Sequence, residues 1–154
     1  MKSALCLALL ACAPVFALAQ QPAPAAPIPA PILTAQKVFV ANGGMDAVSL
    51  QEFRRLGLSD NEPYNSFYAA MKSWGRYQLV ESPADADLVL ALRFTAPQLQ
   101  ISFDILDGKT HFLLWTITQP VEPAARKSTW RKNIAAANAS LVDSFKALTA
   151  PATP

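Results

Sequence analysis

The chain predicts an α+β domain: a mainly antiparallel sheet of about four to five strands with two to three helices packed on one face. Three observations carry this expectation. Residues 49–57, 63–75 and 128–148 repeat large apolar side chains at spacings of three and four, the period of a half-buried helix. Residues 98–106 alternate apolar and polar side chains, the period of a strand with one buried face. Turn chemistry at Asn42-Gly43-Gly44, Gly75 and Asp107-Gly108 separates the two kinds of segment.

The predicted order is β-α-α-β-β-β-β-α. Lys37 to Ala41 reads as a short strand closed by the Asn-Gly-Gly turn. Ser49 and Glu52 form a capping box, in which each side chain satisfies an open amide of the first turn. The helix they start should stop at Gly57. Ser59-Asp60-Asn61 offers a second cap, with Pro63 near the first helical position. Tyr64, Phe67, Tyr68, Met71 and Trp74 then share one helix face, and Gly75 ends it.

Tyr77 to Val80 is a short strand. Leu88 to Phe94 is a continuous apolar run, as expected of a strand buried on both faces. Leu99, Ile101, Phe103 and Ile105 point one way along the next strand. Asp107-Gly108 is a hairpin signal, and His111 to Gln119 returns as the antiparallel partner before Pro120. The last helix, residues 128–148, carries Trp130, Ile134, Ala137, Leu141, Phe145 and Leu148 as its core stripe.

Composition bounds the function. The chain has 154 residues, 52% apolar and 16% charged, with a formal net charge of +2. That is the profile of one globular domain rather than a disordered chain. The charge is too small for the basic footprint of a nucleic-acid binder. Residues 1–19 read as a secretory signal peptide: a basic start at Lys2, an apolar run, and Ala17-Leu18-Ala19 before Gln20. No later stretch is long and apolar enough for a membrane span. Both cysteines, Cys6 and Cys12, fall in the signal, so the mature chain is expected to lack thiols. Leu9-Leu10-Ala11-Cys12 is an imperfect lipobox and offers lipid anchoring at Cys12 as a minority reading. Residues 20–36 are a Pro- and Ala-rich linker, expected to be extended. Residues 37–148 form the single domain, and 149–154 a frayed tail.

No catalytic, cofactor or metal residue is expected. His111 is the one histidine and sits beside a turn. Asp85 and Asp87 could form a carboxylate pair or part of a calcium site, but read more simply as a polar loop entering a strand. Asn42-Gly43-Gly44 lacks the pattern of a phosphate loop. Arg126, Lys127, Arg131 and Lys132 crowd the start of the last helix, where positive charge opposes the helix dipole. With Trp130 among them, these residues are the candidate contact for an envelope protein partner or an anionic lipid surface.

Trp74-Gly75-Arg76-Tyr77-Gln78-Leu79-Val80, followed by Ala84-Asp85-Ala86-Asp87-Leu88-Val89-Leu90, resembles a pattern in small bacterial envelope domains. Asp107-Gly108-Lys109-Thr110, Leu114-Trp115 and the closing helix extend it. The pattern is similar in style to the periplasmic domain of curli-secretion-channel-like lipoproteins and spans residues 67–148. The chain departs from that group in having neither a full lipobox nor a membrane-inserting hairpin. The resemblance therefore implies the fold and an envelope setting, not a secretion channel.

Together these features lead to an expected exported, non-enzymatic interaction or assembly-accessory module of the bacterial cell envelope. The alternative is a periplasmic carrier of a small apolar or lipid ligand, which a cavity between helices and sheet would favour.

Overall fold

A computed structural model describes residues 26–96 and 98–150. The segment expected to be a signal peptide, with Cys12, the first part of the expected linker and the last four residues lie outside the described residues. Nine elements follow in order: α1 (Ala30–Thr34), β1 (Lys37–Met45), α2 (Ala47–Arg55), α3 (Glu62–Trp74), β2 (Gln78–Leu79), β3 (Leu88–Thr95), β4 (Gln100–Asp107), β5 (Leu113–Pro120) and α4 (Lys127–Thr149), with one 3-10 turn at Pro83–Asp85. This is the α+β class read from the sequence, with α1 added at the front.

The sheet order is β2-β1-β3-β4-β5. β3, β4 and β5 form an antiparallel meander. β1 pairs in parallel with both β2 and β3, so the sheet is mixed. The parallel pairs follow from the connection. α2 and α3 intervene between β1 and β2, and a helical crossover returns the chain in the same direction.

Helices α2, α3 and α4 cover one face. Phe53 of α2 meets Phe94 edge-on at 4.9 Å. Phe67 of α3 lies 5.1 Å from Phe103, and Phe145 of α4 lies 5.5 Å from the same ring. All five rings are fully buried. The alternation read along β4 holds: Ile101, Phe103 and Ile105 are inside while Ser102 and Asp104 are partly exposed. The α4 stripe holds as well, with Trp130, Ile134, Ala137, Leu141 and Phe145 buried.

Local differences have physical causes. The cap of α2 is Asp46, not Ser49: its Oδ1 accepts the amides of Val48 and Ser49. Ser49 is fully buried in the first turn, and its Oγ donates to Asp46 Oδ2 and accepts Ala96 N–H at 2.6 Å. The helix therefore starts earlier and is tied to the end of β3. α2 ends as expected, with Gly57 left-handed at φ 65 and Leu58 N–H bonded back to Phe53 O at 2.8 Å. Gly75 ends α3 in the same conformation, φ 70.

Asp107-Gly108 stands at the hairpin, but Gly108 is not the left-handed residue of the loop. His111 is, at φ 60. Gly108 is required for packing: its N–H donates to Asp87 O at 2.8 Å, and a Cβ there would run into the Ala86 carbonyl.

The expectation of an extended linker through residue 36 is also corrected. Ala30–Thr34 is helical, and Ile32 is fully buried in the main core. An isoleucine among alanines and prolines finds apolar cover there, and that burial stabilises a turn the local composition does not favour. At the other end, Thr149 is part of α4 and buried.

Two outcomes check this architecture. Gly108→Ala should destabilise by about 1–3 kcal/mol, the cost of forcing an extra carbon into a packed site. Ile32→Ala should cost about 2–5 kcal/mol. Both are read as a lower urea midpoint at unchanged slope, and no effect of Ile32→Ala would place α1 outside the cooperative fold.

Candidate partner-binding surface

The basic group at the start of α4 is divided by the structure. Arg126 is the N-cap in extended conformation and makes no side-chain cap bond. Arg126, Lys127 and Lys132 are exposed, and none makes an ion pair among the described residues. Arg131 forms an ion pair with Glu62, Nε to Oε1 at 3.1 Å, which joins α4 to the first turn of α3. Trp130 does not belong with them. It is 4% exposed and packs between Phe53 and Phe94, with centroids 6.3 and 6.5 Å away. An interfacial role for its indole is thus corrected: four residues before Ile134, it shares the buried stripe.

The acidic residues of the sequence reading serve the backbone. Asp87 Oδ2 accepts the amides of Gln36 at 2.9 Å and Lys37 at 2.8 Å. These two bonds, with smaller contributions from the charges of Lys37 and Lys109, hold its carboxyl below the usual range. Asp107 Oδ1 accepts the Thr110 amide, the Thr110 hydroxyl and the Lys109 amide, which likewise lower its pKa. Asp104 receives Thr116 Oγ1 at 2.7 Å and pairs with Arg93 at 3.3 Å. Asp85 is exposed in the 3-10 turn, apart from the Asp87 bonds. His111 is exposed in the hairpin loop. Among the described residues no group of three His, Cys, Asp or Glu side chains could hold a metal ion. No described helix is long and apolar enough to cross a membrane.

The sheet face away from α2, α3 and α4 is the one that carries Ser102 and Asp104, which the alternation along β4 offers as a partner-binding surface if it is open. Register places Phe39 beside Val89, Val89 beside Leu106, and Leu106 beside Leu113. Paired residues share a face, so these four make one apolar row across four strands. The pairing slips between Ile105 and Leu106, where β5 carries one extra residue, Leu114. That bulge keeps Trp115 on the helix side with Ile105 and turns Leu113 outward. Leu113 is 59% exposed and the adjoining Phe112 is 72% exposed. Farther along the same face the side chains turn polar: Asp104 with Thr116, then Arg93, Ser102 and Thr118. The alternation of β5 carried part of this signal. The bulge that decides where Leu113 points did not show in it.

No protein-family model matches the chain, and no curated protein does. Solved structures similar to it include two of a PelC dodecamer. A single-substitution variant of the PelC dodecamer from Paraburkholderia phytofirmans is 10% identical with a TM-score of 0.43, covering 71% of this chain and 87% of that one. The PelC dodecamer from the same organism is 9% identical with a TM-score of 0.42, covering 71% and 86%. This is a distant likeness of fold.

Asp87 makes a pH prediction. Its pKa is depressed in the folded chain, so its contribution is present above the unfolded value near 3.9 and is lost as pH falls through the lower folded value. Wild type should lose stability between about pH 5 and pH 2 more steeply than Asp87→Asn, measured as urea midpoints. Equal slopes would remove Asp87 as a source of acid sensitivity.

Proposed function

We propose that this chain is an exported, non-enzymatic interaction module of the bacterial cell envelope that docks a protein partner on the uncovered face of its sheet. The observation that carries this reading is the apolar row from Phe39 to Leu113, ending in the exposed Phe112 and Leu113. Within the row Val89 is buried and Phe39 and Leu106 are half-buried, so the open apolar surface is Leu113 with Phe112 at its end, and exposed apolar side chains edged by polar groups are the common mark of an interaction site. The charges beside this tip favour a protein over an anionic lipid surface: Asp85, Asp87 and Asp107 stand there with Lys37 and Lys109. Hydrogen bonds keep Asp87 and Asp107 ionised, and anionic headgroups repel carboxylates.

The export setting rests on the N-terminal sequence and on the resemblance of residues 67–148 to small envelope domains. Cleavage before Gln20 would leave the domain free in the periplasm, and processing at Cys12 would tether it. The non-enzymatic reading is supported by the carboxylates of Asp46, Asp87 and Asp107, each of which accepts backbone amides, Asp87 and Asp107 doing so where they line a cleft of about 480 Å³ with Gln36 and Lys109.

The test is crosslinking of the full chain in its native envelope, with the mature N-terminus read in the same mass spectra. Wild type should capture one stoichiometric protein, and Phe112→Ser with Leu113→Ser should lose at least nine-tenths of it at unchanged thermal midpoint. Capture that survives the double substitution, or no capture above background, would remove the sheet face as the docking surface.

A further inference from the structure

The two edges of the sheet are finished differently. β2 has two residues and covers Lys37 and Val38 of β1. Past them, Tyr64 Oη donates to Val40 O at 3.3 Å, and the side chains of Asn42 and Asn61 meet at 2.9 Å. The start of α3 thus occupies the outer row of β1. At the other edge, β5 pairs with β4 alone among the described residues.

Hydrogen bonds at the two ends of β5 fix which of its backbone groups face outward. Val121 N–H donates to Leu99 O, and Asp107 N–H donates to Phe112 O. Successive residues of an antiparallel strand turn their N–H and C=O to alternate edges. Trp115, Ile117 and Gln119 therefore bond toward β4, and Thr116 and Thr118 turn their backbone groups away from it. Pro120, next in the outward row, has no N–H to offer.

Proteins ordinarily blunt such an edge with charge. Residues 113–120 carry none, and Trp115, Thr116, Ile117 and Thr118 are all strong strand formers. The charges behind the strand, Asp104 and Arg93, pair with each other at 3.3 Å. The helix above it is equally neutral. Gln119 Nε2 donates to Ser144 Oγ at 3.0 Å, and Asn133 Nδ2 to Glu122 O at 2.8 Å, so this flank of α4 lies over β5 and its exit. At about 3.6 residues per turn the flank holds Asn133, Ala136, Ser140, Ser144 and Ala147, with Lys132, Asp143 and Lys146 farther round the helix.

We propose that β5 pairs antiparallel with β5 of a second copy of this chain, about a two-fold axis at Ile117, joining two sheets into one. In this register Thr116 of each copy stands opposite Thr118 of the other. Each of these pairs exchanges two N–H···O bonds through the outward groups, and the threonine side chains meet on the open face. A centre at Thr118 would set Thr116 against Pro120. A centre at Thr116 would set Thr118 against Leu114, the extra residue of the bulge. Beyond the strands, Glu122 and Arg126 of one copy approach Asp107 and Lys109 of the other, one charge of each sign on both sides, so neither end repels. A second copy fits better than a foreign strand because the edge is its own complement. The contact uses the same surface twice and closes as a dimer, with the other edge already covered. It is independent of the sheet face proposed for the protein partner, and it leaves both open faces on the same side of the joined sheet.

The experiment is sedimentation equilibrium of the exported chain over a dilution series. A monomer–dimer equilibrium with no larger species is expected. Thr118→Pro removes an outward N–H and spares the bonds to β4. Thr116→Lys with Thr118→Lys sets like charges opposite each other at two exposed positions. Each should weaken association at least tenfold with an unchanged circular dichroism spectrum. Residues 26–150 contain no cysteine, so an introduced thiol reports the register. A mixture of Thr116→Cys and Thr118→Cys chains should oxidise to the mixed disulfide ahead of either homodimer. A monomer at every concentration, association that the lysine pair leaves intact, or no preference for the mixed disulfide would overturn the proposal. A monomer whose captured envelope protein is lost in Thr118→Pro would also overturn it, in favour of a foreign strand on this edge. Phe112→Ser with Leu113→Ser should leave the dimer in place, so failure of the dimer and failure of partner docking are read separately.

Discussion

Strand β3 is the constraint on which the rest of the molecule is built. It is hydrogen-bonded on both edges, in parallel to β1 and antiparallel to β4. It is also nearly devoid of solvent contact on both faces over Leu88, Val89 and Leu90. A strand held in this way has one register, since a slip by one residue would exchange the side chains of its two faces. A carboxylate near each end reinforces it. Asp87, just before β3, holds the first amides of β1, while Lys37 O accepts Asp87 N–H at 2.9 Å. Asp46, just after β1, caps α2 and with Ser49 holds the amide of Ala96 beyond the last residue of β3. β1 and β3 are thereby clasped at both ends by side chains whose hydrogen bonds require ionised or hydroxyl oxygens.

From this clasp the distribution of surfaces follows. Three helices on one side supply the aromatic cluster, and nothing of comparable size is left for the other side. An antiparallel meander can carry one solvated face, and here that face is polar along β4 and β5 except where Phe39, Val89, Leu106 and Leu113 line up. The two ends of β3 carry different surfaces. At the hairpin end, apolar area stands among carboxylates and would be buried by a protein. At the α2–α4 end, a recess walled by Val48 and Leu99 carries the paired Glu52 and Arg55.

Much of the architecture was legible because it is local. The long stripe of α4, the alternation of Ile101, Phe103 and Ile105, the Gly75 stop and the apolar run from Leu88 to Leu92 in β3 depend on residues close in sequence, and the backbone period writes them directly. The start of α2 misled for an equally physical reason. Ser49 and Glu52 have the spacing of a capping box, but Asp46 three residues earlier caps better, and its carboxylate also reaches Ala96. Gly108 stood at the right place for a different reason, close approach to Ala86 rather than turn conformation. Of the candidate contact residues, Arg126, Lys127 and Lys132 are open to solvent, Arg131 is paired with Glu62, and Trp130 is in the core.

What the chain determined by itself, then, was where the helices and strands after α1 lie, which of their faces are apolar, and that they make an α+β fold. The tertiary structure alone decided that β1 runs parallel to its neighbours, that Ile32 joins the core, that Trp130 is inside while Phe112 and Leu113 are outside, and that Leu99 and Val48 wall a cleft. Each of these rests on partners far apart in the chain, as Asp87 and Gln36 are by 51 residues. Local periodicity carries no information about such pairings, because the free energy that selects them comes from burial and hydrogen bonds that exist only once the whole sheet is assembled.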